Sequence, residues 1–226
     1  MCSDRPMNVE TPVPSAVAPP KTLYRRVFKR WFDLGFTLLS LPVFLPLSLL
    51  IALIIKLNSR GTALVQLKRL GRGGSTFYKY KFRTMVPNAE KVLQELLATN
   101  EEIRREYEST YKIKDDPRIT PFGRWLRKTS LDEIPQILNV FRGEMSWVGP
   151  RDILHSELAM YGEFADKFVT VQPGITGLWQ VSGRSRLSYA ERVRLDIYYI
   201  DHLSLFLDVK VIFKTPCVVL SGDGTL

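Results

Sequence analysis

The strongest constraint on this chain is a stretch of 22 residues, 34–55, that contains no charged side chain. As an α-helix it would be about 33 Å long, enough to cross the roughly 30 Å hydrocarbon core of a bilayer. A cleaved signal peptide fits poorly, because the stretch starts late and is too long. A buried helix of a soluble core is the alternative, but it rarely excludes charge over 22 residues. The pattern therefore predicts a membrane segment.

Two prolines, Pro42 and Pro46, lie near the middle of this segment, where each removes a backbone donor and crowds the preceding turn. Basic residues flank it on both sides: Lys21, Arg25, Arg26, Lys29 and Arg30 before, and Lys56, Arg60, Lys68, Arg69 and Arg72 after. Since basic flanks favour the cytoplasmic side, both ends should lie there. We therefore favour a re-entrant membrane helix over residues 23–57, broken at the prolines, over a single straight span.

The charge distribution divides the chain further. Residues 21–87 contain 13 lysines and arginines and one acid, Asp33, whereas the whole chain carries a net charge of +9. Such an asymmetry is expected of a surface that meets lipid phosphates or nucleic acid. Residues 1–22 are proline-rich and predict a flexible tail, and residues 58–226 predict a folded domain. With two histidines and two distant cysteines, the sequence excludes a zinc site of the usual kind.

The domain is predicted to open with a β-hairpin. Two extended runs, 64–70 and 76–84, flank the turn sequence 71–74. In the second run Tyr78, Tyr80 and Phe82 alternate with Lys79, Lys81 and Arg83, which gives one aromatic and one cationic face. On this run alone the cationic face is interpreted as an ordinary solvated one; a basic, aromatic nucleic-acid surface is the rival. Helical patterns dominate the remaining sequence, including a capping box at Ser188 and Glu191, so the fold class is α+β, mainly helical.

An adjacent acidic pair, Asp132 and Glu133, follows Arg124, Arg127 and Lys128. An amphipathic helix is predicted from near Asp132 to a stop at Gly143, which would place both acids at a helix N-terminus and lower their pKa values. Ser130 and Glu133 also have the spacing of a capping box. Spacing alone favours capping over catalysis.

Five motifs change that balance: YKFRTM at 80–85, ITPFGR at 119–124, RKTSLDEIPQ at 127–136, VGPR at 148–151 and PGITGLWQVSGR at 173–184. In this order they resemble the bacterial sugar transferases of the monotopic phosphoglycosyl transferase type, and the likeness covers roughly residues 25–220. Pro46 falls where that family breaks its re-entrant helix. Two positions depart from the family pattern. Leu45 replaces a frequent serine before the proline, and Asp152 replaces the usual proline after Gly-Pro-Arg.

The resemblance implies a reaction and its residues. Asp132 would attack the β-phosphate of a UDP-sugar, release UMP and carry a phosphosugar that polyprenyl phosphate then takes. Glu133 would assist with metal binding or carboxylate positioning, and Asp132 and Glu133 would be the ligands of Mg²⁺. Phosphate would be bound by Arg151, Arg127, Arg83 and Lys81. Nucleotide or sugar recognition is assigned to Trp179, Gln180 and Arg184, although Trp179 is equally suited to be a buried anchor.

The resemblance also implies a cellular location and binding partners. The domain would face the cytoplasm at the bacterial inner membrane, with helices at the lipid interface, and no nucleic acid would bind. Residues 203–220 are apolar enough to lie in that interface or to pack on the core. The motif at 177–184 is most like members that use UDP-galactose or UDP-glucose, and the product would start a surface glycan. The rival from another class is an inactive membrane-anchored scaffold, and a homodimer stays open.

Overall fold

The computed structural model describes residues 22–110, 113 and 115–220. The predicted tail, apart from its last residue, therefore lies outside the described part. Described residues form a mainly helical fold with two small sheets, as the sequence predicts. The helices are α1 (Lys29–Asn58), α2 (Ala89–Thr99), α3 (Glu101–Thr110), α4 (Pro121–Lys128), α5 (Ile137–Arg142), α6 (Ala165–Phe168), α7 (Leu178–Ser182), α8 (Tyr189–Asp201) and α9 (Leu205–Leu220).

A π-helical turn, Tyr24–Phe28, precedes α1, and 3₁₀ turns occupy Arg72–Gly74, Leu131–Gln136, His155–Phe164 and Arg184–Arg186. The strands are β1 (Leu64–Leu70), β2 (Thr76–Phe82), β3 (Ser146–Val148) and β4 (Gly174–Thr176). β1 and β2 are the predicted hairpin, antiparallel with Leu67 opposite Lys79. β3 and β4 pair in parallel, far apart in sequence, and bring two of the motif segments side by side.

Helix α1 contains the apolar segment and is long and apolar enough to cross a membrane. Helical structure runs through both Pro42 and Pro46, so the predicted break is not an interruption of the helix. Its middle is exposed, whereas Ile51 and Ile55 near its C-terminal end belong to the hydrophobic core. An exposed apolar helix middle requires another apolar environment to cover it.

Both ends of α1 are fixed to the same folded body. At the N-terminal end, Asp33 accepts hydrogen bonds from the Ser146 hydroxyl (2.9 Å) and the Trp147 backbone N–H (3.1 Å). At the other end the Arg83 guanidinium donates to the Ser59 carbonyl (3.1 Å). A straight helix of 30 residues would be about 45 Å long. These attachments set where the helix leaves and rejoins the domain.

The core joins the hairpin to the helices behind it. Leu126, Val140, Val148 and Ile197 are fully buried within one cluster. The buried Asn139 side chain completes the edge of β2: its amide donates to the Tyr78 carbonyl (2.8 Å) and its oxygen accepts from the Tyr80 N–H (3.0 Å). Because an amide side chain can replace a strand partner, α5 and the preceding turn are held directly against β2.

Candidate active site

The cationic face of β2 points inward. Lys79 is 5% exposed and Arg83 9%, whereas Tyr78 on the opposite face is 46% exposed. The interpretation of Lys79, Lys81 and Arg83 as a solvated face is therefore wrong. A buried lysine is tolerated only when it is paired, so these ammonium groups must meet acids from elsewhere in the fold. Lys81 meets Asp132 and Glu133 on the 3₁₀ turn at residues 131–136, and Lys79 meets Asp152.

The turn that carries the acidic pair is not built as a capping box. Ser130 has a left-handed backbone (φ 55°) and its side chain makes no capping hydrogen bond. Residues Leu131–Gln136 form a 3₁₀ turn with Pro135 inside it, and regular α-helix begins only at Ile137. The predicted stop at Gly143, with φ 80°, is confirmed. The capping interpretation of Ser130 and Glu133 is wrong, and both acids are left for other partners.

Lys81 lies between the two acids. Its Nζ is 3.0 Å from Oδ2 of Asp132 and 2.6 Å from Oε1 of Glu133. The Asp132 side chain is 7% exposed and that of Glu133 is 28% exposed. Burial opposes the charge on Lys81, but Glu133 and Asp132 outweigh it and raise the lysine pKa. An ammonium between two carboxylates keeps the pair from repelling each other.

The two carboxyl groups differ in acidity. Burial raises the pKa of Asp132 and outweighs the lowering by Lys81. For Glu133, burial acts in the same direction, but the charges of Lys81 and Lys79 prevail and lower its pKa. The expectation that both pKa values are lowered is thus wrong for Asp132. The physical reason is desolvation, which exceeds the attraction of neighbouring cations.

Asp152, which the sequence marks as a departure from the family pattern, extends the ionic network. Its Oδ2 is 2.5 Å from Nζ of Lys79 and 2.8 Å from Nε of Arg69. Burial opposes ionisation, yet Lys79 and Arg69 hold the pKa of Asp152 at about 2. Lys79 in turn acts on Glu133. Acidic and basic side chains therefore alternate through one network, in the order Arg69, Asp152, Lys79, Glu133, Lys81 and Asp132.

Arg127 reaches the acidic pair from α4. Its Nε donates to Oγ1 of Thr84 (2.9 Å), and its charge acts on Asp132. The helix comes this close because position 123 has no side chain. A Cβ added to Gly123 would collide with the Thr84 carbonyl group. Gly123 and Arg127 are four residues apart on one face of α4, so the same contact positions both.

Gly123→Ala should lower the stability of the fold by at least about 2 kcal/mol, since the new methyl group must displace backbone rather than a flexible side chain. Thermal unfolding in detergent would measure the change. Gly35→Ala is the matched control: it lies in α1 with nothing within 4 Å of the added Cβ, and we expect no loss of stability. Equal melting temperatures for the two variants would contradict the close approach.

Arg151 directly precedes Asp152, and its charge acts on that acid. Its side chain is exposed, and its guanidinium carbon is 5.7 Å from the centre of the Trp179 ring. The Arg192 guanidinium is 5.0 Å from the same ring. Trp179 is 6% exposed, so the structure makes it a buried anchor under two arginines. Such cation–π contacts restrict the arginine without neutralising it.

The other predicted residues are distributed differently. Gln180, on α7, is partly buried and its amide donates to the Ile175 carbonyl at 3.5 Å. Arg184 is partly exposed with a left-handed backbone (φ 50°). The Arg83 guanidinium donates to Ser59 and Arg60 at the end of α1 rather than to the acidic pair. The structure thus brings together Asp132, Glu133, Lys81 and Arg127, whereas Arg151 is connected to them only through the neighbouring Asp152.

Sequence reasoning missed Lys79, Thr84 and Asp152 as parts of this network. Lys79 is two residues before Lys81 and Thr84 is three residues after it, next to or within the YKFRTM segment. This closeness to Lys81 in the sequence is the signal that could identify them. In the sequence, Asp152 stands out only as a departure from the family pattern after Gly-Pro-Arg. Its pairing with Lys79 depends on the contact between β2 and the loop after β3, which no local pattern reveals.

The donor chemistry of the acidic pair suits Mg²⁺. No cluster of three histidine, cysteine or acidic side chains is present among the described residues. Mg²⁺ commonly uses one or two carboxylates and completes its shell with phosphate oxygens and water. Asp132 and Glu133 each contact Lys81 through one oxygen, and carboxylate oxygens are the hard ligands that Mg²⁺ prefers.

A lysine held between a buried and a partly exposed carboxylate, with Arg127 beside them, is an arrangement suited to an enzyme that acts on anionic substrates. The comparison with known families is specific: a model described as bacterial sugar transferase matches residues 24–222. The chain belongs to the bacterial sugar transferase family. The resemblance seen in the five motifs is thereby confirmed.

Individual relatives agree with this assignment. The exopolysaccharide production protein ExoY of Sinorhizobium fredii is 45% identical over 196 residues, which cover 86% of this chain and 87% of that protein. The undecaprenyl-phosphate galactose phosphotransferase of Salmonella typhimurium is 45% identical over 199 residues, 88% of this chain and 42% of that protein. An uncharacterized sugar transferase of Haemophilus influenzae is 46% identical over 202 residues. The chain spans less than half of these last two relatives, covering 43% of the Haemophilus protein.

Proposed function

We propose that this chain transfers a hexose 1-phosphate from a UDP-sugar to undecaprenyl phosphate, the first step of a surface glycan. The observation that carries the proposal is the Asp132–Lys81–Glu133 arrangement beside the apolar helix α1. A carboxylate can form a covalent phosphoryl intermediate, and the helix would bring it to the bilayer where a lipid acceptor resides. The name of the Salmonella relative, an undecaprenyl-phosphate galactose phosphotransferase, supports the same acceptor.

The reaction would proceed in two displacements. An oxygen of Asp132 attacks the β-phosphorus of the UDP-sugar, the bond between that phosphorus and the bridging oxygen breaks, and UMP leaves with the bonding electrons. A phosphate oxygen of the lipid then attacks the same phosphorus, and the Asp132 carboxylate is released. Each displacement conserves the phosphosugar, and the lipid diphospho-sugar is the product.

The surrounding side chains suit this chemistry. Burial raises the pKa of Asp132, which reflects a poorly hydrated carboxylate, and such a group is more nucleophilic when ionised. Lys81 favours the ionised form. Arg127 and Arg151 would bind the diphosphate, for which a guanidinium is well suited. Mg²⁺, held by Asp132 and Glu133, would neutralise phosphate charge.

The sugar is proposed to be galactose or glucose. Relatives from Salmonella typhimurium and Erwinia amylovora are named for galactose, and one from Komagataeibacter xylinus, 40% identical over 200 residues, for glucose. The recognition motif at 177–184 is compatible with either hexose. We place Gln180 and Arg184 near the sugar or nucleotide, and Trp179 beneath Arg151.

We propose that α1 is re-entrant, entering and leaving the bilayer on its cytoplasmic side. Support comes from its ends, which bond to Trp147 and Arg83 of one body while its middle residues, such as Leu39 and Val43, are exposed. Helix α9 adds a second apolar surface. Phe206, Phe213 and Leu220 are exposed at a spacing of seven residues, whereas Asp208 and Val211 face the core. This stripe suits the lipid interface.

Cysteines introduced at Thr22 and Arg60 should be labelled from the same side of the membrane. The reagent would be a membrane-impermeant maleimide applied to inside-out and right-side-out vesicles, in a background with Cys2 and Cys217 replaced by serine. Both positions should react only in inside-out vesicles. A cysteine at the exposed Leu45 is the control, since lipid should shield it in both preparations. Reaction of positions 22 and 60 from opposite sides would establish a single span.

The activity itself is tested with purified protein, Mg²⁺ and a UDP-sugar. Mixed with UDP-galactose or UDP-glucose alone, the protein should release UMP up to one equivalent and gain one hexose phosphate in intact mass after rapid acid quenching. Undecaprenyl phosphate should then remove the added mass and permit turnover. Product formation without any mass change would replace the two-displacement scheme by direct transfer. Absence of UMP with every UDP-sugar would favour the inactive scaffold.

A further inference from the structure

A small pocket lies beside the start of α1. It is formed where the π-helical turn before α1 meets the turn of the hairpin, the loop that precedes β4 and the connection between α8 and α9. Cationic side chains from three of these segments or their neighbours share it with polar and apolar groups, and its lining includes Arg25, Lys29, Arg72, Thr170 and Leu203. The lining residues are different from those of the acidic pair and its ionic network, so the pocket needs an explanation of its own.

The pocket contains more positive charge than neighbouring acids balance. Arg25 and Arg72 both line it, and neither forms an ion pair with an acid in the described part of the chain. Lys29, the third cation, differs because its Nζ contacts Asp208 (2.7 Å) and Asp33 (3.6 Å). Two like charges that share a pocket repel each other, so an anion that contacts both arginines would be stabilised there.

The Arg25 guanidinium is also incompletely hydrogen-bonded. Its Nη2 donates to the Thr170 carbonyl (3.3 Å), whereas Nη1 is buried and has no hydrogen-bond partner among the described residues. Asp201 is close enough for its charge to act on Arg25, but its carboxylate is paired with Nζ of Lys167 at 2.6 Å. Because a buried donor without an acceptor is costly, the position of Nη1 favours an anionic ligand that accepts from it.

Exposed apolar side chains lie next to this pocket along the chain. Leu23 and Phe28, on either side of Arg25 in the sequence, are exposed. Phe206 on α9 is exposed three residues after the pocket residue Leu203. With α1 and α9 at the lipid as proposed, these side chains would meet acyl chains and the pocket would lie at the level of the headgroups. Phosphate is the anionic group that this level of a bilayer supplies.

We infer that this pocket binds the phosphate group of an anionic phospholipid, with Arg25 and Arg72 as the residues that contact it. The inference rests on the proposed place of α1 and α9 at the lipid and not on the transfer reaction. Phosphate oxygens would accept from Nη1 of Arg25 and offset the repulsion between the two guanidinium groups, whose parallel donors match phosphate geometry. The bound lipid would hold the N-terminal end of α1 in the headgroup layer.

The test titrates the full chain, in a neutral detergent, with phosphatidylglycerol and measures bound lipid by native mass spectrometry. Phosphatidylglycerol has a net negative charge, whereas the phosphate of phosphatidylcholine is balanced by choline. We expect phosphatidylglycerol to bind at least about tenfold more tightly than phosphatidylcholine. Arg25→Gln and Arg72→Gln should each weaken phosphatidylglycerol binding about tenfold, the loss expected for one charge-assisted hydrogen bond. Arg72 lies in an exposed turn, so its variant decides the test if Arg25→Gln does not fold.

Lys210→Gln is the matched control. Lys210 is an exposed cation on α9, four residues after Phe206 and three before Phe213, and therefore on the same face of the helix. Its replacement removes the same charge from the same proposed interface and should leave phosphatidylglycerol binding unchanged. An equal loss in Lys210→Gln, equal binding of the two phospholipids, or unchanged binding in both arginine variants would each overturn the inference.

Competition identifies the source of the phosphate. Neither inorganic phosphate nor undecaprenyl phosphate, at a concentration equal to that of phosphatidylglycerol, should displace it from the wild-type chain. Displacement by inorganic phosphate would assign the pocket to a free anion, and displacement by undecaprenyl phosphate alone would assign it to the lipid acceptor. Either result would overturn the inference.

These outcomes are distinguishable from failure of the proposed function, because binding of phosphatidylglycerol needs neither a UDP-sugar nor turnover. The expected losses in the arginine variants of a protein that never releases UMP would reject the transferase proposal and keep the lipid site. UMP release by a chain that shows no preference for phosphatidylglycerol would reject only the lipid site. Labelling of positions 22 and 60 from opposite sides would reject the re-entrant helix but keep this site, since Arg25 would still lie at a membrane surface.

Discussion

Asp132→Asn should abolish both UMP release and the gain of one hexose phosphate in intact mass. An amide has the shape of the carboxylate but no negative oxygen to attack phosphorus, so the first displacement is blocked. We expect turnover to fall at least about a thousandfold, as for loss of other covalent nucleophiles. The fold should persist, because the oxygen of the new amide could still accept a hydrogen bond from Lys81.

The control for this variant is Asp166→Asn, an exposed acid on α6, which should turn over like the wild-type chain. Melting temperatures of both variants would show that the loss is chemical. Turnover by Asp132→Asn at the wild-type rate would transfer the nucleophile role elsewhere. Glu133, whose side chain is the more exposed of the pair, would then be examined by Glu133→Gln.

Lys81→Met should cause the second largest loss, about a hundredfold to a thousandfold in kcat. Methionine retains the apolar stem but leaves two adjacent acids without the ammonium that bridges them. Lys81 lowers the pKa of Asp132. Its removal raises that pKa further, so less of the nucleophile is ionised at neutral pH. The acidic limb of the pH–rate profile should therefore move to higher pH, and activity should partly recover in alkaline buffer.

Lys91→Met, on the exposed surface of α2, is the matched control and should show the wild-type rate and profile. A Lys81→Met variant that loses substrate affinity while keeping kcat and its pH profile would assign Lys81 to phosphate binding, as the sequence suggests. A Lys81→Arg variant adds a further check. It restores the charge with a different geometry and should recover the position of the acidic limb more fully than the rate.

Local signals in the sequence predict local structure correctly. The hairpin, the stop at Gly143 and the capping box between Ser188 and Glu191 all depend on residues a few positions apart, and the structure contains each of them. The acidic pair is recognisable through its motif. The predicted break at Pro46 is a different case, because helical geometry continues through both prolines. Whether a helix bends at a proline also depends on its surroundings, which its own sequence does not specify.

Properties that depend on distant contacts are predicted less well. The solvated-face interpretation of Lys79 and Lys81 fails because their acids lie 51 to 73 residues further along the chain. The same contacts bury Asp132, so desolvation raises a pKa that helix-dipole reasoning expects to be lowered. Ser130 has capping spacing, but its left-handed backbone rules out capping geometry. Burial and long-range pairing decide the cases of the two lysines and of Asp132, and neither has a local signature.

Arg83 and Lys81 are two residues apart on one face of the second hairpin strand or its immediate extension, roughly 6.6 Å from each other along the chain. One side chain bonds the C-terminal end of the apolar helix and the other contacts Asp132, the proposed nucleophile. With α1 in the bilayer as proposed, bilayer thickness and lateral pressure would act on the geometry of the acidic pair through this one strand. Lipids of different chain length should therefore change the rate of the proposed transfer without contacting Lys81 or Asp132.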